Sequence, residues 1–152
     1  MGSQTAKIDP KGRIAAPADF RRALDCKRFN GFWCMPALDG PRLNCGGADY
    51  IEGLQAMIAA LDPYDPDRAD LQEALIGQSR QIPFDADGRF ILPQPLKDYA
   101  GLSDRVFFIG LGDHFQIRIA DGAEQKLRDA ATRAATAVHK LKNPQTPVGV
   151  AR

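Results

Sequence analysis

The sequence predicts a mixed α+β fold, in which two internal repeats combine into one β-barrel with helices packed on its outside. The first observation is a duplication, because residues 8–17 match residues 84–93 at an offset of 76 in a chain of 152 residues. The second is the presence of short strand patterns after each copy. The third is size, since four short strands in one half leave open edges and too small a core. Two halves that pair with each other would remove those edges.

The duplicated segment has the pattern of a tight turn between two short strands. Its copies are IDPKGRIAAP and FDADGRFILP, so each places an Asp three residues before a Gly and four before an Arg. Gly12 and Gly88 can adopt the positive φ that such a turn requires. Asp9 and Asp85 can accept hydrogen bonds from the turn amides. We therefore predict that these four residues shape two equivalent loops.

The remaining elements follow each loop in the same order. Pro17 and Pro93 end a strand and precede a short amphipathic helix. Further strands are predicted over 29–35, 41–45, 106–110 and 115–120, and longer helices over 48–61, 67–76 and 123–141. Prolines and a glycine after residue 142 predict a loose end. The chain is thus divided into a first repeat over 1–76, a second repeat over 77–142 and a flexible tail over 143–152.

The charged residues are segregated, although the formal net charge is only +1. Residues 7–28 carry seven basic and three acidic side chains, whereas residues 39–76 carry eight acidic and two basic ones. A basic end suits a polyanion such as nucleic acid, while two solvated surfaces without a partner are the simpler alternative. The near-neutral total excludes a uniformly basic, histone-like protein.

The sequence contains few residues or motifs that are typical of other function classes. Cys26, Cys34 and Cys45 are too few and too widely spaced for a disulfide framework or a zinc site, which favours a reducing cytoplasm. His114 and His139 are the only histidines, and no catalytic motif accompanies them. We therefore predict no enzyme activity, no cofactor, no metal and no small-molecule substrate. No apolar run is long enough for a membrane-spanning helix, so no membrane contact is predicted either.

The paired Asp-x-x-x-Arg loops, with their flanking residues, resemble those of the MraZ family of bacterial transcriptional regulators. The resemblance includes LIGQS at residues 75–79 and continues from Asp85 through Leu102 into 106–109. It implies an AbrB/SpoVT-type fold of two swapped-hairpin halves. It also implies a cytoplasmic, nucleoid-associated protein that assembles into ring-like homo-oligomers. Its partner would be double-stranded DNA, bound at short direct repeats in the promoter of a division and cell-wall gene cluster.

The same resemblance implies which residues contact DNA. Arg13 and Arg89 match the family's principal contacts, Lys11 matches the Lys before the first Gly, and Arg21 matches an Arg of the following helix. An Arg at a hairpin tip can donate two hydrogen bonds to guanine, whereas a Lys suits a phosphate. Because the counterpart of Lys11 is Asp87, the two loops are expected to bind DNA unequally.

Two alternatives remain open at this point. Each arginine could do no more than pair with its loop aspartate and brace the turn. The chain could also be an AbrB-like antitoxin that binds both a toxin partner and its own promoter, although the end of the chain after residue 142 is short and mostly neutral for a neutralising tail.

Overall fold

A computed structural model of the chain describes residues 1–142, and the predicted tail over 143–152 lies outside this range. The contacts divide the chain into one unit over Met1–Ala120 and a second that begins at Asp121. The strands of the first unit are β1 (Ser3–Lys7), β2 (Arg13–Ala15), β3 (Gly31–Pro36), β4 (Leu43–Gly46), β5 (Arg80–Pro83), β6 (Arg89–Ile91), β7 (Arg105–Gly110) and β8 (Phe115–Ile119). Its α-helices are α1 (Ala18–Ala23), α2 (Ala48–Ala59), α3 (Pro66–Leu71) and α4 (Gln94–Ala100).

The predicted α+β class is confirmed, and the predicted elements are present. The four predicted strands after the loops correspond to β3, β4, β7 and β8, with boundaries shifted by at most two residues. Helix α3 continues as one π-helical turn over Gln72–Ile76, so the helix predicted over 67–76 has two parts. Asp65 caps α3 by accepting a hydrogen bond from the Asp67 amide at 2.9 Å.

The six-stranded antiparallel sheet has the order β1-β7-β8-β4-β3-β5. The order is symmetric about the β4–β8 pair, because β1 pairs with β7 just as β5 pairs with β3. A second, two-stranded sheet pairs β2 with β6. Strands β1, β2, β5 and β6 flank the two loops, and each of them pairs with a strand from the other half of the chain. Neither half therefore forms its own sheet.

The prediction of a closed barrel is wrong, because the hydrogen-bonded sheet is open at β1 and β5. Strands β2 and β6 have only three residues each and pair with one another rather than bridging those edges. Within residues 1–142, one isolated bridge, between Ile8 and Ile14, joins the two sheets beside the first loop. The chain thus turns from the large sheet into the small one at each loop.

The core is shared by both halves of the chain. Phe20 and Phe32 from the first half pack against Phe90, Phe108 and Phe115 from the second, with ring centroids 5.0 Å apart for Phe32 and Phe90. These five rings are at most 2% exposed. Burying such a ring stabilises the fold by about 1.5–3 kcal/mol, so neither half could retain its core alone.

The second unit contains one long helix, α5 (Ala123–Ala137), followed by a 3-10 turn over Val138–Lys140. Most of its side chains are exposed. None of the helices within residues 1–142 is both long and apolar enough to cross a membrane.

Candidate nucleic-acid interface

The first loop is held by one carboxylate. Asp9 Oδ1 accepts hydrogen bonds from the amides of Lys11 and Arg13, at 2.9 and 2.8 Å. Asp9 Oδ2 accepts from Arg13 Nε at 2.6 Å, and the Gly12 amide donates to the Asp9 carbonyl at 2.9 Å. Gly12 has φ +83°, a conformation in which a Cβ would strain the backbone. Four residues therefore fix the turn that presents Arg13.

The second loop repeats this network residue by residue. Asp85 Oδ1 accepts from the amides of Asp87 and Arg89, both at 2.9 Å. Asp85 Oδ2 lies 3.3 Å from Arg89 Nε, and the Gly88 amide donates to the Asp85 carbonyl at 3.0 Å. Gly88 has φ +74°. The structure thus brings together the four residues predicted to shape the loops, two in each.

Both loop carboxylates are held in the charged form. For Asp85, the hydrogen bond from the Arg89 amide is the main cause that lowers its pKa below the ordinary value. For Asp9, loss of solvent acts to raise the pKa, but hydrogen bonds from Arg13 and the charge of its guanidinium outweigh this effect and lower it. The turns are therefore most rigid when both carboxylates are ionised.

Arg13 and Arg89 lie on the outward face of the small sheet formed by β2 and β6, which we call the ribbon. Arg13 is opposite Ile91, and Arg89 is opposite Ala15. The pair between them, Ile14 and Phe90, points into the core. The two arginines also line the same surface hollow of about 250 Å³. Their side chains are 31% and 30% exposed, so both arginines brace their turns and remain partly open to solvent.

Arg21 lies beside the second loop, although it belongs to the helix that follows the first. A Cβ added to Gly88 would lie 2.8 Å from Arg21 Cζ and Nη1. Arg21 Nε also donates to the Ala16 carbonyl at 3.4 Å. This contact explains why Gly88 is buried in an otherwise exposed loop. The guanidinium of Arg21 therefore adds positive charge next to the loop that lacks a Lys.

The tips of the loops differ in charge. Lys11 is exposed and has no counterpart cation in the second loop, where Asp87 occupies the same position. Asp87 Oδ2 accepts a hydrogen bond from Arg89 Nη2 at 2.9 Å. The first loop thus has two cations, Lys11 and Arg13, and one carboxylate. The second loop has one cation, Arg89, and two carboxylates.

Sequence reasoning missed two features of this surface. Ile91 is 56% exposed on the outward face of the ribbon, directly opposite Arg13 and two residues after Arg89. The sequence could have indicated this exposure, because Ile91 lies two residues after Arg89 and alternate residues of a strand share a face. The placement of Arg21 against Gly88 had no signal, since it depends on pairing between the two halves of the chain.

The fold and the site define a protein of two intertwined segments that presents a pair of arginine-bearing turns on one ribbon. A family model described as "MraZ protein, putative antitoxin-like" matches residues 75–137. A transcriptional regulator MraZ from Parvibaculum lavamentivorans is 42% identical over 117 residues, which cover 76% of this chain and 73% of the relative. The homologous regulator from Methylocella silvestris is 40% identical and covers 74% and 69%, respectively. That from Xanthobacter autotrophicus is 35% identical and covers 88% and 85%. The chain belongs to the MraZ family of transcriptional regulators.

Proposed function

We propose that this protein regulates transcription by inserting its two loops into the major groove of duplex DNA. The observation that carries the proposal is the placement of Arg13 and Arg89 on one outward face of a rigid ribbon. The hydrogen bonds of Asp9 and Asp85 use Nε of each arginine. Both Nη atoms of Arg13 are left for a base, and so are Nη1 and one hydrogen of Nη2 of Arg89, whose other Nη2 hydrogen goes to Asp87. Two parallel hydrogen bonds from a guanidinium to guanine O6 and N7 discriminate between bases by about 1–3 kcal/mol.

The neighbours of the arginines suit other parts of the duplex. Lys11 at the first tip and Arg21 beside Gly88 of the second loop would contact phosphates, since each adds a cation next to one of the two turns. Ile91 is an exposed apolar side chain opposite Arg13 on the same face and suits a thymine methyl group. The proposed interface therefore includes Arg13, Arg89, Lys11 and Arg21.

The register of the ribbon limits how much DNA one chain can contact. Arg13 and Arg89 are on paired strands and are offset by two residues. With a strand spacing of about 4.8 Å and a rise of about 3.4 Å per residue, their Cα atoms are roughly 8 Å apart. This is about two to three base-pair steps of B-DNA. The two loops of one chain would thus contact one short box.

Binding to tandem boxes would then require several chains. Boxes one helical turn apart are about 34 Å from each other, which exceeds the span of one ribbon. Linked chains gain affinity for tandem boxes through effective concentration. We therefore propose that the protein is a ring-like homo-oligomer, that it acts as a repressor at direct repeats in a division and cell-wall promoter, and that it is cytoplasmic and nucleoid-associated.

The strand exchange supports a proposal about domain organisation. Strands β1 and β5 each pair with a strand of the other half, as expected for two AbrB/SpoVT-like swapped-hairpin repeats over 1–76 and 77–142. The division at Asp121 concerns the contacts of α5, not the repeat itself.

Selection of bound duplexes from random DNA, followed by fluorescence anisotropy, tests the proposed function. Arg13→Ala and Arg89→Ala should each weaken binding to a selected tandem-box duplex by about tenfold or more. Arg128→Ala, which removes a charge from α5, is the matched control and should have little effect. Binding that is unchanged in both loop variants contradicts the proposed interface. Equal binding to single-box and tandem-box duplexes contradicts the proposed multivalency.

The description of the matching family model favours one second candidate, an antitoxin that also binds a toxin. Purification of the tagged chain from its native host separates the two proposals. A stoichiometric small protein that is released by denaturant would support the antitoxin function. Recovery of the chain with DNA alone would support the regulator.

A further inference from the structure

The second loop contains a carboxylate that the first lacks. Asp87 occupies the position of Lys11 and accepts a hydrogen bond from Arg89 Nη2 at 2.9 Å. Asp85 holds Nε of the same guanidinium, at 3.3 Å. Arg13, in contrast, is held only through Nε, and within residues 1–142 no hydrogen bond uses either of its Nη atoms. The plane of the Arg89 guanidinium is therefore fixed at two points, and that of Arg13 at one.

This difference leaves a defined set of donors and acceptors at the second tip. Arg89 retains Nη1 and one hydrogen of Nη2, which form the edge that a guanine can accept from at O6 and N7. Asp87 Oδ1 makes no hydrogen bond within residues 1–142, and the side chain is 73% exposed. A carboxylate oxygen in this position can accept from the amino group of cytosine or adenine. The same carboxylate repels phosphate, so contacts that ignore base identity are disfavoured there.

From these contacts, and resting on the proposed function, we infer that Asp87 is the specificity-determining residue of the second loop. Asp87 orients Arg89 towards guanine, accepts from an adjacent base amino group and weakens binding to DNA of other sequence. The first loop, with Lys11 at its tip, supplies affinity that depends less on base identity. The two loops of one chain therefore have different tasks at the same box.

Asp87→Asn is the informative change, because it removes the charge and keeps the shape. It leaves the turn intact, since Asp85 holds residue 87 through the backbone amide. Asp70→Asn, on the exposed surface of α3, changes the net charge equally and serves as the control. Asp87→Glu keeps the carboxylate and should restore part of the discrimination.

The experiment uses the selected box and all its single-base substitutions, with affinities measured by anisotropy in the full-length protein. Arg89→Ala and Arg13→Ala first identify which base pair each loop contacts. At the Arg89 position, the wild-type protein should prefer its base pair by about tenfold or more. In Asp87→Asn this preference should fall to about threefold, while affinity for all duplexes rises and the salt dependence steepens. The preference at the Arg13 position should not change.

Different outcomes contradict the role of Asp87 and the proposed function. An Asp87→Asn protein that keeps the wild-type preference at the Arg89 position overturns the inference and leaves the proposed function standing. If Asp70→Asn loses as much of this base preference as Asp87→Asn does, the inference is also overturned, because the change in net charge would then be the cause. A wild-type protein that prefers no base at any position overturns the proposed function and the inference together.

Discussion

Replacing Gly88 with alanine tests whether Arg21 serves the second loop, and Gly12→Ala supplies a matched control. Both glycines have positive φ, +74° and +83°, where alanine is strained. At Gly88 the new Cβ would also lie 2.8 Å from Arg21 Cζ and Nη1. At Gly12 the nearest atom, Ile91 Cγ2, would be 3.9 Å away, an ordinary contact. The two variants thus share the backbone strain and differ in the displacement of Arg21.

The shared strain sets the expected loss of stability. A left-handed alanine costs about 1–2 kcal/mol, and the reduced freedom of the unfolded chain offsets about 0.4–1 kcal/mol of this. The free energy of unfolding of each variant, measured in urea, should therefore be about 1 kcal/mol lower, which corresponds to a fall in Tm of about 2–5 °C. The guanidinium of Arg21 is the end of a flexible side chain and can move at little further cost. Its displacement should therefore appear in DNA binding rather than in stability.

DNA binding at several salt concentrations separates the two variants. Loss of one phosphate contact lowers the slope of log affinity against log salt by about one. Gly88→Ala should show this loss, and Gly12→Ala should not. In an Arg21→Ala background, the slopes of the two glycine variants should become equal. Equal slopes in the presence of Arg21 would refute the placement of this side chain at the interface.

Three further predictions concern stability and chemistry. Since the folded chain lowers the pKa of Asp9 and Asp85, their stabilising effect is complete above the ordinary carboxyl pKa and is lost as the pH falls through the lower folded pKa. The free energy of unfolding, measured in urea between about pH 6 and pH 2, should therefore fall less with decreasing pH when both residues are changed to Asn. Phe32→Ala should cost about 3–5 kcal/mol in the same assay, whereas Tyr64→Ala, at a residue 94% exposed, should change it by less than about 0.5 kcal/mol. An aromatic disulfide reagent should titrate only Cys26 in the native protein and all three thiols in denaturant, because the cysteines of β3 and β4 are fully buried.

Much of the fold could be predicted because its signals are local. The duplicated Asp and Gly residues specify turns by themselves, and the structure forms the same hydrogen bonds at Asp9 and Asp85. Proline and alternating apolar residues likewise fix where strands end and which face is buried. The predicted positions of β3, β4, β7 and β8 are confirmed for this reason.

Closure of the sheet could not be predicted, because it depends on pairing between distant segments. Strand β2 has only three residues, and its apolar pattern does not indicate whether it extends the large sheet or pairs with β6. The contact between Arg21 and Gly88 is non-local for the same reason. The hydrogen bond from Arg89 to Asp87 lies within one loop, but its geometry depends on the side-chain conformation and not on spacing.

The duplication in one chain also explains how the loops can differ while the ribbon stays intact. Strand β2 is too short to be stable alone and pairs with β6, so each loop depends on the strand that follows the other. The residues that hold the turns, Asp9 and Asp85, act through backbone amides at positions 11 and 87. Those two positions therefore accept different side chains without loss of the turn, and both are exposed at the tips of the proposed DNA interface. A symmetric homodimer of a single repeat would carry the same side chain at both tips, whereas two copies joined in one chain can carry Lys11 at one tip and Asp87 at the other.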